Sequence, residues 1–239
     1  MHGVAKGLIG TMEREEHTMT QTLSQQLDEF RAGWRARVPA DSQALMDRHV
    51  AHLKAGGIGQ SAKQVGDRAP SIRLRDQHGA MFDVAGLLAK GPVIVTFYRG
   101  GWCPFCNLEL KAYQAVLPRI AAAGASLVAI SPEKPDDTVS TADKNALSFP
   151  VLSDVGNAVG KAFGVVYAFT DEVRGVYDGF KLDIPAKNGT PDDWSLPLSA
   201  TYVIGADGLI QFADTRVDYR ERTDPLDVLA VLEQREAAE

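Results

Sequence analysis

The sequence predicts an α/β sandwich, a mixed central sheet with helices on both faces, preceded by a helical N-terminal extension. Three observations carry that prediction. Pro92 to Tyr98 is a near-continuous apolar run rich in β-branched and aromatic residues, as expected of a central strand covered on both faces. A helical pattern from Leu108 to Ile120 and a second buried-strand pattern from Ser126 to Ser131 complete a strand–helix–strand unit, whose parallel strands need a covering crossover. Two hairpin patterns flank it, Ile72–Leu74 with Met81–Val84 around Gln77-His78-Gly79, and Thr201–Ile204 with Leu209–Phe212 around Ala206-Asp207-Gly208.

The remaining elements follow from spacing. Leu23, Leu27, Phe30, Trp34, Val38, Leu45, Met46, Val50 and Leu53 recur at helical intervals with a break at Pro39, which predicts two short amphipathic helices. Their apolar stripes need a partner surface, either the chain's own domain or a homodimer contact. The glycine-rich stretch Ala55 to Gly59 separates an extension over 19–60 from a main domain over 63–239. Residues 1–18 are expected to be disordered, since Glu13, Arg14, Glu15 and Glu16 interrupt any apolar core and no targeting-peptide cleavage pattern follows. Asp136 to Leu147 reads as a helix, Phe149 to Gly164 as a short strand and a helix, and Pro225 to Glu233 as a closing helix. Val165 to Pro197 is rich in Asp, Gly and Pro and weakly periodic, and reads as a long loop of functional or mobile character.

Composition narrows the function classes. The chain has 239 residues, 45% hydrophobic and 23% charged, enough for one well-packed domain with a modest appendage. A net charge of −6 argues against nucleic acid and anionic membranes as partners. No run approaches the roughly 20 apolar residues of a spanning helix, so a soluble, cytoplasmic protein is expected.

Only two cysteines are present, Cys103 and Cys106, spaced C-x-x-C. They sit between a predicted strand and a predicted helix, which places at least one sulfur in the first helical turn, where unpaired N–H groups favour an anion. A thiol there is acidic and its thiolate is the nucleophile, while a second cysteine one turn away can close a 103–106 disulfide. Pro104 suits the first helical position, where its missing N–H is not needed. The blander alternatives are two small buried hydrophobes or half of a zinc site. Zinc would need further ligands, and the only close histidine pair is His49 with His52 on the extension, so no metal and no cofactor is expected.

At these residues the sequence resembles the peroxiredoxin-like proteins of the alkyl hydroperoxide reductase and thiol-specific antioxidant (AhpC/TSA) superfamily. The resemblance covers Val65 to Pro70, Phe97 to Glu109, Ala129 to Pro132, Phe149 to Asp154 and Asp218 to Arg220. It implies a thioredoxin-like fold and thiol-dependent antioxidant reduction of peroxides or disulfides. Typical members place the peroxide-attacking cysteine eight residues after a Phe-Tyr pair, a register that falls on Cys106, with Glu109 at an associated glutamate position. The family threonine position is occupied by Cys103, which is where thioredoxins hold their attacking thiol.

Two catalytic orders stay open. Peroxide oxidises Cys106 and Cys103 resolves it, or Cys103 attacks and Cys106 resolves. The family arginine and the thioredoxin cis-proline both align with Ser199, so charge stabilisation must come from elsewhere, with Arg99, Arg216 and Arg220 as candidates. Trp102 is read as packing the site's rim and Glu109 as positioning an arginine or shuttling a proton, against its blander reading as a solvated helix residue. The leading function is reduction of hydrogen peroxide or an alkyl hydroperoxide, with regeneration by thioredoxin, glutaredoxin or another dithiol. A thiol–disulfide oxidoreductase acting on protein disulfides and a non-catalytic redox sensor are the alternatives.

Overall fold

A computed structural model describes residues 21–236 of the chain, so the disorder expected for residues 1–18 lies outside the described residues. Thr22 opens α1 (Leu23–Arg37) with a capping box, its side chain accepting from the Gln25 N–H while the Gln25 side chain accepts from the Thr22 N–H. Pro39 separates α1 from α2 (Ala40–Ala55), which stops at Gly56. β1 (Arg73–Asp76) and β2 (Met81–Asp83) form the first hairpin, with Asp76 accepting from the His78 and Ala80 N–H groups in the turn. A single turn, α3 (Ala85–Leu88), leads to β3 (Val93–Phe97), α4 (Pro104–Ala122), β4 (Ser126–Ser131), α5 (Pro135–Lys144), β5 (Val151–Ser153) and α6 (Ala158–Ala162).

Between 165 and 197 the chain folds rather than loops. It forms β6 (Val166–Ala168), α7 (Asp171–Gly179), α8 (Ile184–Asn188) and β7 (Ser195–Pro197), with β6 and β7 paired antiparallel as a small separate sheet. These elements run from three to nine residues, too short to show a period in sequence, and they are held by burial of Val173, Tyr177, Ile184 and Leu196. β8 (Ser199–Ile204), β9 (Ile210–Arg216) and α9 (Pro225–Glu236) complete the chain.

The main sheet has seven strands in the order β2-β1-β5-β4-β3-β8-β9. β3, β4 and β5 run parallel and the outer pairings are antiparallel. Every residue of β3 is buried, and since successive side chains point to opposite faces, both faces of the central strand are covered. α4 is longer than its apolar pattern indicated. Pro104 fits the first turn, and the helix continues past Pro118 to Ala122.

α1 packs on α4, with Phe30 edge-on to Phe105 at 5.0 Å between ring centroids, while α2 packs on α7. The extension therefore covers apolar surface of its own chain, with Leu23, Leu27, Met46, Val50 and Leu53 inside a common core. Leu27→Ala is expected to lower the unfolding free energy by about 2–5 kcal/mol, the range for truncating a buried leucine, in a single cooperative denaturant transition. An effect below half a kcal/mol would mean that α1 is not part of that core.

Candidate active site

The site grows from the C-terminal end of β3. Tyr98 and Arg99 follow the strand, and Gly100 to Trp102 form a tight turn that delivers Cys103 to the N-cap of α4, with the Cys103 N–H donating to the Gly100 carbonyl at 3.0 Å. The two glycines answer to close packing. A Cβ at Gly100 would collide with Trp102 Nε1, and one at Gly101 would collide with Thr141 Oγ1. Glu133 accepts from the Gly101 N–H at 2.8 Å, and Asn107 donates to the Gly101 carbonyl at 2.9 Å. Asn145 in turn donates to Asn107 at 2.8 Å.

Cys103 and Cys106 are both free and buried, one helical turn apart. The basic group that meets them is Arg222, on the segment between β9 and α9. Its Nη2 lies 3.2 Å from Cys106 Sγ and 3.8 Å from Cys103 Sγ, and its side chain is wholly buried. Arg222 Nε stands 3.2 Å from Glu109 Oε2, an ion-pair distance without the alignment of a hydrogen bond. Arg99, also buried, lies among aromatic rings, with its guanidinium carbon 4.5 Å from the Tyr219 ring centre and 5.0 Å from that of Trp102. It donates a hydrogen bond to the Tyr177 hydroxyl.

These charges decide how the sulfurs ionise. Burial disfavours a thiolate at Cys103, but the hydrogen bond offered by Cys106 and the charges of Arg99 and Arg222 outweigh it and hold this thiol well below its ordinary value. Burial pushes Cys106 up, and the neighbouring Cys103 sulfur reinforces the shift against the same two arginines. Arg222 is nearer to Cys106, while the Cys103 thiol at the N-cap of α4 is the one held low, with Cys106 offering it both side-chain and backbone hydrogen bonds. Burial raises Glu109 to about 7 despite Arg222 beside it, and likewise raises Glu133 to about 7 against the Gly101 N–H.

Of the residues singled out in sequence, Arg99, Trp102 and Glu109 lie around the cysteine pair. Glu109 is buried rather than solvated, because its face of α4 turns toward Arg222. Arg216 is bound to Asp214 at 2.8 Å on the exposed side of β9, and Arg220 is held by Asp218 and Asp47. Neither takes a sulfur as partner; Arg220 is buried toward Asp47 of α2, and Arg222, two residues on, is buried toward the cysteines. Sequence reasoning missed Arg222, since three arginines fall within seven residues and nothing local distinguishes them. It also missed Tyr177 and Phe169, which the 165–197 segment folds against Arg99.

The AhpC/TSA family profile matches residues 65–213, more than half of the chain. The chain belongs to the AhpC/TSA family. Among curated relatives of this AhpC/TSA protein, it is 35% identical over 100 residues to a chloroplastic peroxiredoxin Q of Populus jackii, covering 42% of this chain and 46% of that one. A chloroplastic peroxiredoxin Q of Sedum lineare is 32% identical over 124 residues, 52% of this chain and 64% of that one. The match thus spans about half to under two thirds of these relatives.

Among solved structures, the peroxidoxin BcpB of Mycobacterium tuberculosis superposes with a TM-score of 0.57 at 23% identity, covering 72% of this chain and 97% of that one. Peroxiredoxin Q of Xanthomonas campestris gives 0.51 at 20% identity, covering 68% and 90%. The fold is thioredoxin-like, as the sequence resemblance implied. α1 and α2 precede the family-matched residues.

Two outcomes follow for the buried charges. Arg222→Met is expected to raise the thiolate titration midpoint, followed by absorbance near 240 nm, by at least about one pH unit; an unmoved midpoint would show that Arg222 does not stabilise the anion. Glu109 has a folded value of about 7, above the ordinary 4.5, so the folded state holds the extra proton between those values and stability falls as pH rises through that window. Denaturant titrations at a series of pH values should show that this contribution disappears in Glu109→Gln.

Proposed function

We propose that the chain is a thiol-dependent peroxidase that reduces hydrogen peroxide or alkyl hydroperoxides through Cys103 and Cys106, with Cys103 attacking first. The single observation that carries this reading is the clustering of Arg99 and Arg222 around a sulfur pair of which Cys103 lines the pocket shared with Trp34, Met46 and Phe180. A nucleophile needs an ionised sulfur next to the substrate's space, and the lowered Cys103 thiol at the pocket wall supports that role. Membership of the AhpC/TSA family and the peroxiredoxin names of its relatives support the peroxidase class.

In this reading the Cys103 thiolate attacks the terminal peroxide oxygen and the O–O bond breaks. Sulfur is oxidised to sulfenic acid, and the departing alkoxide or hydroxide takes the Cys106 proton to leave as alcohol or water. Cys106, now a thiolate held by Arg222, attacks the Cys103 sulfur, forms the 103–106 disulfide and expels hydroxide, which takes a proton from solvent. An external dithiol of the thioredoxin or glutaredoxin class returns two electrons and restores the pair. The arginines stand where negative charge develops, which is the form of stabilisation that matters most in a buried site.

The order reverses the role that the family register gave to Cys106. Stopped-flow mixing of reduced protein with peroxide, with the sulfenic acid trapped by a dione reagent, tests it. Cys106→Ser should keep rapid first oxidation and carry the label on Cys103, while Cys103→Ser should fall to the rate of a free thiol. Label on Cys106 in the second variant would reverse the order, and slow oxidation of the unaltered protein would remove the peroxidase assignment itself.

A further inference from the structure

Outside Cys103 lies a pocket of about 130 Å³ whose wall is not supplied by the thioredoxin-like domain alone. Trp34 of α1 and Met46 of α2 line one side, with Phe180 and Leu182 from the α7–α8 connection among the other lining residues. Two of its lining residues carry buried donors, Arg99 Nε and Trp102 Nε1, that find no acceptor among the described residues. Buried donors ordinarily have a partner, so this pair is suited to an oxygen-bearing ligand. The apolar side chains around them suit a hydrocarbon body.

The wall is anchored rather than loosely laid on. Phe30, one turn before Trp34, packs edge-on against Phe105 between the two cysteines. Asp47, next to Met46, pairs with Arg220, Arg31 donates to the Arg220 carbonyl at 3.4 Å, and Lys54 lies 3.9 Å from Glu221. The same helices that wall the pocket therefore grip the segment that carries Arg222. Size follows from the volume. An apolar cavity of about 150 Å³ takes a benzene-sized guest, so this pocket accepts a peroxide group with only a few carbons beyond it.

We propose that the α1–α2 pair is the specificity wall of the thiol pocket, with Trp34 and Met46 restricting substrates to hydroperoxides no bulkier than about a tert-butyl group. The proposal rests on the peroxidase reading above and deepens it.

Single-turnover oxidation of the reduced full-length protein by hydrogen peroxide, tert-butyl hydroperoxide and cumene hydroperoxide tests it. The unaltered protein should react with the cumene compound at least about tenfold more slowly than with the tert-butyl compound, the discrimination a few carbons of misfit provides. Trp34→Ala should close that gap, as should Trp34→Leu, which keeps an apolar contact on α1 if the smaller residue loosens the helix. Equal rates for the two organic peroxides in the unaltered protein would overturn the proposal without any variant. A gap that persists in variants with unchanged circular dichroism would overturn it too. Slow reaction with all three peroxides would instead remove the peroxidase reading, and the wall's role with it.

Discussion

Everything at this site depends on a guanidinium placed in contact with two sulfurs inside the protein. Arg222 is wholly buried, as is Arg99, and a buried cation is tolerated only when anions or polarisable partners surround it. Arg222 has the sulfur pair on one side and Glu109 on the other; Arg99 has aromatic faces and a tyrosine hydroxyl. Opposite charges about 4 Å apart attract by about 4 kcal/mol at an effective dielectric near 20, against about 1 in bulk water. Burial therefore makes the thiolate expensive and its stabilisation strong at the same time, and the balance is tipped by geometry.

That balance explains why the domain is wrapped. A thioredoxin-like sheet with its helices leaves the N-terminus of α4 at a surface. Here α1 and α2 cover one side and the 165–197 segment another, turning an open helix end into an enclosed one. The cover does more than exclude water. Asp47 orients Arg220, the turn at Asp218 follows, and Arg222 is carried inward, so the extension and the cationic group form one mechanical unit.

The arrangement trades stability for chemistry. Glu109 and Glu133 are both held near 7 by burial, so near neutral pH the fold contains carboxyls that resist ionisation beside a sulfur that favours it. A hydrocarbon core of the same volume would be easier to fold. What it could not do is hold groups that exchange protons near neutrality within reach of a reacting thiol pair.

The sequence by itself determined the local frame. Apolar spacing marked α1 and α2, the β-branched run from Pro92 to Tyr98 marked the central strand, and C-x-x-C after a strand with Pro104 inside marked the helix start that favours a thiolate. These are short-range properties, set by side-chain period and by the backbone chemistry of a single turn. Arg222, Tyr177 and the inward face of Glu109 were decided only by tertiary structure, since each depends on segments distant in the chain meeting around one pair of sulfurs. Which cysteine faces the pocket belongs to the same class. The two sulfurs are three residues apart in any helix, and only the elements packed around them put Cys103 on the wall of a pocket.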